Sequence, residues 1–147
     1  MQDLPHQYLV AAAASNSGNV TLSSSGVADL ESAPPVEFGG PGDQWSPESL
    51  LVAAVVDCFV LSFRAIARAS RLEWTSLDCE VDGTLDRVER STQFTAFSVR
   101  AKLSVPAGTD ASKAERLLQK AEQACLITNS LKAESHLEAS VVVDSSG

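Results

Sequence analysis

The pattern of hydrophobic and polar positions is dominated by one apolar stretch, residues 50–63, which contains few polar side chains. Ser46 just before it is a good helix N-cap, Pro47 fits the first helical turn, and Glu48 complements the helix dipole. These signals predict a helix from about residue 47 to residue 70. Because the first half of this helix is hydrophobic on every side, we expect it to be buried in a core or in an interface between chains.

Shorter segments with alternating or β-favouring residues predict six strands around two helices. The predicted strands span residues 7–14, 20–24, 27–30, 76–85, 94–105 and 137–143. A charged loop is expected at 86–91, and Asp110 is an N-cap for a second helix over residues 111–124. The order β-β-β-α-β-β-α-β predicts one α+β domain over residues 1–147, with an antiparallel sheet packed against two helices.

Charge and composition narrow the range of partners. The chain has 147 residues, of which 44% are hydrophobic and 20% charged, as in soluble globular domains. Its net charge is −8, and no Lys or Arg precedes Arg64. Neither nucleic acids nor anionic membranes are therefore expected as partners, because both are bound by clustered basic side chains.

Targeting, membrane and metal signals are weak. The N-terminal residues lack the positive region and long apolar segment of a secretory signal, which predicts a cytoplasmic protein. The central apolar stretch contains Asp57 and is followed by arginines, so we expect it to be too short and too charged to span a bilayer. Three cysteines without a Cys-x-x-Cys pattern fit neither a secreted disulfide framework nor a zinc site, and His6 and His136 have no convincing metal-ligand partners. No metal or bound cofactor is expected.

Two cysteines lie where chemistry is plausible. Cys58 lies within the apolar helix, and Cys125 lies at the end of the second helix. A thiol in apolar surroundings is either inert packing or a nucleophile shielded from bulk water. Cys79 alternates with Leu77 and Val81 on a predicted strand, so we expect it to be structural.

Short motifs in the chain are Glu37-Phe-Gly-Gly40, Ser46-Pro-Glu-Ser-Leu50, Asp57-Cys58-Phe59, Ala121-Glu-Gln-Ala-Cys125 and Asn129-Ser-Leu131. In sequence and order these segments resemble the OsmC/Ohr family of osmotically inducible and organic hydroperoxide resistance proteins. The resemblance spans most of the chain. It implies an intertwined homodimer with the two central helices at its core, which reduces organic or fatty-acid hydroperoxides.

The resemblance also implies roles for individual residues. Cys58 attacks the peroxide oxygen, and Cys125 resolves the resulting sulfenic acid before it is oxidised further. Glu48 orients a donor or cation that stabilises the thiolate; because it precedes Cys58 by about 15 Å of helix, we expect it to act across a chain interface or through the preceding loop. An external dithiol of the lipoyl or thioredoxin type reduces the disulfide. An apolar pocket built from Val55, Phe59 and side chains of the partner is expected to favour alkyl hydroperoxides.

The chain departs from the family pattern at two positions. Peroxidatic members carry an arginine on the N-terminal hairpin that pairs with the carboxylate of the Pro-Glu motif, whereas residues 16–20 contain none. The family's usual proline after the second cysteine is replaced by Leu126. A reactive Cys58 then needs another cation, for example Arg87 or Arg90, or a hydrogen-bond donor or helix dipole. The alternative is a catalytically silent relative that binds an apolar small molecule.

Overall fold

The computed structural model describes residues 2–145. The chain divides after residue 51 into two compact units, which are described separately; the expectation of a single domain stays a prediction. The elements are β1 (Ala11–Ala13), β2 (Val20–Ser23), β3 (Leu30–Ser32), α1 (Pro47–Ala69), β4 (Ser76–Val88), β5 (Ser91–Val105), α2 (Ala111–Ala124), α3 (Leu126–Asn129) and β6 (Glu134–Val143). The α+β class predicted from the sequence is confirmed, with two three-stranded sheets and two long helices.

The first unit contains the sheet β1–β2–β3, whose neighbouring strands are antiparallel. The predicted opening hairpin is confirmed, with Ala13 opposite Thr21. The third strand begins at Leu30, later than predicted, because the chain turns at Gly26, which has a φ of +84°. Glycine adopts this conformation at no steric cost, and the turn delays the extended segment.

Gly40 shows why the Phe-Gly-Gly segment needs its second glycine. Its N–H donates to the carbonyl of Pro35 at 3.0 Å. A Cβ at this position would lie 1.6 Å from the carbonyl oxygen of Pro34, so a larger residue does not fit unless the backbone moves. The segment is therefore a close-packed turn that leads towards the long helix.

Helix α1 begins where the sequence predicts. The Ser46 hydroxyl accepts a hydrogen bond from the backbone N–H of Ser49 at 3.1 Å, and the Ser49 hydroxyl accepts one from the backbone N–H of Ser46 at 2.9 Å. This reciprocal pair is a capping box in which serine replaces the usual Glu or Gln. The cap fixes the first turn of the helix and with it the register of the residues that follow.

In the second unit, β4 and β5 form a long antiparallel hairpin. The charged loop predicted at 86–91 is wrong, because both strands continue until only Glu89 and Arg90 remain between them. These two residues have φ values of 50° and 73°, as in a two-residue type I′ turn. Such turns usually contain Asn or Gly, so the sequence lacks the signal by which they are recognised.

The final strand differs from the predicted antiparallel arrangement. β6 pairs with β5 in parallel, with Val99 opposite Leu137 and Leu103 opposite Val141. It also begins at Glu134, earlier than predicted. The physical reason is connectivity: α2 lies between β5 and β6 in the chain, and neighbouring parallel strands need such a crossover instead of a tight turn.

The core of the second unit combines residues from both long helices and the sheet. Among them are Phe59 and Phe63 of α1, Val99 and Leu103 of β5, and Leu118 of α2, each 2% exposed or less. Because these residues face inward, the alternate residues of β5 face solvent. The buried face of α1 thereby fixes which way the neighbouring Cys58 points.

Helix α1 buries only one stripe, formed by Val55, Phe59, Phe63 and Ala67. Only 22% of its most apolar 18-residue window is buried, and Leu61 is 49% exposed. By length and composition this helix is apolar enough to cross a membrane, so the expectation that it is too short and too charged to do so is wrong. Buried helices of soluble proteins meet the same criterion, and the absence of a membrane partner stays a prediction.

Candidate active site

Cys58 lies in the middle of α1, beside the buried stripe of the helix. Its neighbour Phe59 is 1% exposed, whereas Cys58 itself is partly exposed. The hydroxyl oxygen of Ser62, one helical turn later, lies 3.9 Å from the Cys58 sulfur. Residues four apart in a helix share a face, so these two side chains point in the same direction. The thiol is therefore held at the edge of the core.

Cys125 separates α2 from α3. Its backbone is extended, with φ −64° and ψ 107°, which ends α2 and redirects the chain. Its carbonyl accepts hydrogen bonds from the Thr128 hydroxyl at 3.1 Å and from the backbone N–H of Asn129 at 3.0 Å. The Cys125 side chain is only 2% exposed. These two hydrogen bonds to the Cys125 carbonyl stabilise the turn that follows this cysteine.

The two cysteines come together at this turn, although they are distant in the sequence. The Cys125 thiol and the backbone N–H groups of Leu126 and Ile127 lie near enough to the Cys58 sulfur to lower its pKa as hydrogen-bond donors. Both cysteines are free thiols. The arrangement places a second thiol beside a sulfur that is already surrounded by donors.

Burial raises the pKa of the Cys58 thiol, because removal from water disfavours the charged form. Hydrogen bonds to the thiolate act in the opposite direction. In decreasing order of effect they come from the backbone of Ile127, the Cys125 thiol, the Ser62 hydroxyl and the backbone of Leu126. Together they outweigh burial and lower the pKa from the ordinary value of 9.0. Within residues 2–145 no charged side chain, including Arg87 and Arg90, is among the causes of this shift.

Sequence reasoning missed these donors. Ser62 had a detectable signal, since it lies four residues after Cys58 in a strongly predicted helix. The backbone N–H groups of Leu126 and Ile127 had none, because only the tertiary fold brings this turn to α1. A stabilising donor, one of the options that the sequence left open, is what the structure provides.

Glu48 belongs to the first unit, where it lies in the first turn of α1. Its Oε1 atom is buried and has no hydrogen-bond partner within the described part of the chain. Buried polar atoms without partners are rare in native proteins, and each marks a place where a ligand, a water or a second chain completes the bonding. One carboxylate oxygen of Glu48 is therefore available to accept a further hydrogen bond.

Two further expectations are resolved by burial. Val55 and Phe59 are 0% and 1% exposed, so they belong to the core and the prediction that they line a substrate pocket is wrong. Cys79 lies on the inner side of β4 and packs against the core cluster, as expected for a structural residue. Burial raises the pKa of Cys79 to about 11, so this thiol is protonated at neutral pH and is a poor nucleophile.

Comparison with known proteins identifies the family. A family model described as OsmC-like protein matches residues 40–140, a segment that contains both Cys58 and Cys125. The chain belongs to the OsmC-like family. A peroxiredoxin OsmC from Escherichia coli (strain K12) is 32% identical over 93 residues, which cover 63% of this chain and 64% of that protein. The uncharacterized protein YmaD of Bacillus subtilis (strain 168) is 32% identical over 143 residues, 92% of this chain and 94% of that protein.

Other OsmC-like proteins extend the comparison. An organic hydroperoxide resistance protein from Xanthomonas axonopodis pv. citri (strain 306) is 28% identical over 112 residues, which cover 76% of this chain and 77% of that protein. The structure of an OsmC-like protein of unknown function from Vibrio cholerae matches with a TM-score of 0.84, 19% identity, and coverage of 92% of this chain and 100% of that chain. At this identity the structural match shows the fold alone.

Leu126, the residue directly after Cys125, has an effect on the site through its backbone. Proline has no backbone N–H, whereas the backbone N–H of Leu126 is one of the donors that lower the pKa of the Cys58 thiol. The Leu126 side chain is 65% exposed, so packing does not dictate its identity. The residue after Cys125 therefore contributes a backbone donor that a proline at this position would lack.

Proposed function

We propose that this OsmC-like protein is a thiol-dependent peroxidase that reduces organic or fatty-acid hydroperoxides with two cysteines. The main support is that Cys125 and the backbone N–H groups of Leu126 and Ile127 lie near Cys58 and lower the pKa of its thiol. A thiol whose pKa is lowered and that lies beside a second thiol is suited to peroxide reduction. The names of two relatives, peroxiredoxin OsmC and organic hydroperoxide resistance protein, suggest the same chemistry.

In the first step the Cys58 thiolate attacks one oxygen of the hydroperoxide. An S–O bond forms as the O–O bond breaks, and the departing alkoxide takes up a proton and leaves as an alcohol. The sulfur is oxidised to a sulfenic acid, and the peroxide is reduced by two electrons. The neutral donors around Cys58 increase the fraction of thiolate available for this attack.

In the second step the Cys125 sulfur attacks the sulfenic sulfur. An S–S bond forms, the S–O bond breaks, and the hydroxyl group leaves as water with the proton of Cys125. An external dithiol of the lipoyl or thioredoxin type then reduces the disulfide by thiol–disulfide exchange. The cycle needs no bound cofactor, and the reduced state with which it begins suits the cytoplasm.

Glu48 has a supporting role in this proposal. Its buried Oε1 atom lacks a donor in the single chain. A donor or cation from a second chain would satisfy the carboxylate and would itself be oriented by it. Such a contact would give the buried Oε1 atom of Glu48 a hydrogen-bond partner.

The active form in this proposal is a homodimer. The part of α1 in the second unit has an apolar surface next to Cys58 that includes the 49% exposed Leu61. A helix that is apolar around most of its circumference needs a partner surface in water, and a second copy of the same helix offers one. The dimer would also cover the site that contains Cys58.

Light scattering coupled to size-exclusion chromatography tests this assembly. We expect a mass about twice the 15.5 kDa of the chain. Leu61→Glu should weaken association by at least about 100-fold, because it places an unpaired charge in an apolar interface. Val88→Glu is the matched control, since Val88 is similarly exposed at 42% but lies at the tip of the β4–β5 hairpin. A wild-type monomer would contradict the dimer, and equal effects of both variants would contradict an interface through α1.

A catalytically silent OsmC-like protein that binds an apolar molecule is the second candidate. The absence of Arg from residues 16–20, and of any Lys or Arg before Arg64, favours it. Consumption of cumene hydroperoxide and a fatty-acid hydroperoxide, measured with a dithiol reductant, separates the two. The peroxidase should turn over both substrates many times per chain. A wild-type protein that consumes neither, and whose Cys58 alkylates only at strongly alkaline pH, would be a binding protein instead.

A further inference from the structure

Ser62 is a polar residue in an otherwise apolar part of α1, and its hydroxyl group lies close to Cys58. Its hydroxyl oxygen lies 3.9 Å from the Cys58 sulfur. A serine inside a helix often donates to the backbone carbonyl four residues earlier instead. In residues 2–145 the hydrogen bond to Cys58 is the one found for the Ser62 side chain. The hydroxyl is therefore directed at the sulfur and away from its own backbone.

We propose that Ser62 is a positioning residue for the peroxidase reaction, whose hydroxyl donates a hydrogen bond to the Cys58 sulfur and holds it as a thiolate. This inference rests on the proposed function and adds a residue to it. Either atom can donate while Cys58 is a thiol, but a thiolate has no proton, so the hydroxyl must then be the donor. A hydrogen bond that favours the charged form lowers its pKa, in agreement with the direction found for Cys58.

Neutral donors matter here because the described surroundings of Cys58 contain no cation that lowers its pKa. The titratable partner of Cys58 is Cys125, and the other donors are backbone N–H groups of Leu126 and Ile127. A backbone donor stays in place when the side chain is replaced, unless the new residue is proline. Ser62 is thus the one side-chain donor among them other than the second cysteine.

The test compares Ser62→Ala, Ser62→Thr and Ser62→Val by the pH dependence of Cys58 alkylation. Thr and Val have nearly the same shape and differ in the hydroxyl. Alkylation is followed on separate tryptic peptides, since Cys58 lies on the peptide that ends at Arg64, Cys79 on residues 72–87 and Cys125 on residues 121–132. We expect Ala and Val to slow Cys58 alkylation about three- to tenfold at neutral pH, with an unchanged rate once the thiol is fully ionised. Thr should restore the wild-type profile.

Two comparisons make the result decisive. Leu126→Pro removes one backbone donor. Proline fits at this position because it follows an extended residue and begins a helix. The change in the Cys58 titration in this variant measures the effect of losing a single neutral donor. Ser140→Ala removes a hydroxyl from an exposed position on β6 and should leave the profile unchanged. Alanine favours helix formation, so Ser62→Ala should fold, and circular dichroism checks this.

A Cys58 titration that is the same in the wild type and in Ser62→Val, or that Ser62→Thr fails to restore, would overturn the role of Ser62. Peroxide consumption is measured separately on the same proteins. If the titration depends on the hydroxyl but the wild type consumes no hydroperoxide, the role of Ser62 in holding the thiolate stands and the proposed function fails. If the wild type turns over hydroperoxide but the titration of Cys58 does not depend on the hydroxyl, the proposed function stands and the role of Ser62 fails.

Discussion

Replacing Cys58 by serine is expected to lower hydroperoxide turnover by on the order of 10³-fold or more, to the rate of the reductant alone. A serine hydroxyl in the same position is not ionised at neutral pH and cannot accept the peroxide oxygen as a sulfur does. The fold should be retained, because Cys58 lies beside the buried stripe of α1 and is partly exposed. Dithiol-dependent consumption of cumene hydroperoxide measures the loss.

The matched control is Cys79→Ser, which removes a thiol from the same unit of the chain. Cys79 has a pKa raised to about 11 by burial and lies on the inner side of β4. This variant should keep the wild-type turnover per folded chain, although some loss of stability is expected. Substantial hydroperoxide turnover by Cys58→Ser would show that Cys58 is not the nucleophile. Loss of turnover in a folded Cys79→Ser variant would also contradict this assignment.

Replacing Cys125 by serine is expected to separate the two chemical steps. Serine still offers a hydroxyl donor to Cys58, so the first oxidation should proceed, but no thiol is present to resolve the sulfenic acid. The variant should consume about two hydroperoxides per chain and then stop, because the first forms the sulfenic acid and the second oxidises the unresolved sulfenic acid to the sulfinic acid, which dithiols do not reduce. Stopped-flow peroxide measurements and the mass of the peptide ending at Arg64 report the two events.

In the wild type the same peptide should be found joined to residues 121–132 by a disulfide after one equivalent of hydroperoxide. Mass spectrometry without reductant detects this link, and it is absent in Cys125→Ser. If the variant turned over many times with a dithiol, an external thiol would resolve Cys58 directly. The two-cysteine mechanism would then be replaced by a one-cysteine mechanism.

The pattern of residues predicts much of the fold because strong local signals agree with one another. Ser46, Pro47 and the apolar stretch that follows predict the start of α1, and Asp110 predicts that of α2. Local signals fail where the backbone adopts a rare conformation, such as positive φ, at residue types that do not usually adopt it. Glu89 and Arg90 occupy a positive-φ turn that usually contains Asn or Gly, so the sequence predicts a longer loop than the hairpin has.

The parallel pairing of β6 with β5 shows a different limit. The alternation of polar and apolar residues predicts that a strand is present and which face is buried, but it is the same for parallel and antiparallel neighbours. The direction of β6 follows from the path of α2 across the unit. The direction of a strand relative to its neighbour depends on how the elements are arranged in space, and the sequence of a single strand does not determine it.

For the site, the sequence by itself determined that Cys58 lies on an apolar helix, that Cys125 ends another, and that both lie in the segment that matches the OsmC-like family. Only the tertiary structure decided what surrounds the sulfur. It brings the turn at Leu126 near the middle of α1, where the second thiol and two backbone N–H groups lower the pKa of the Cys58 thiol. Every residue except proline has a backbone N–H donor, so the sequence does not show which donors lie near one atom. That is determined by the packing of segments that are distant in the chain.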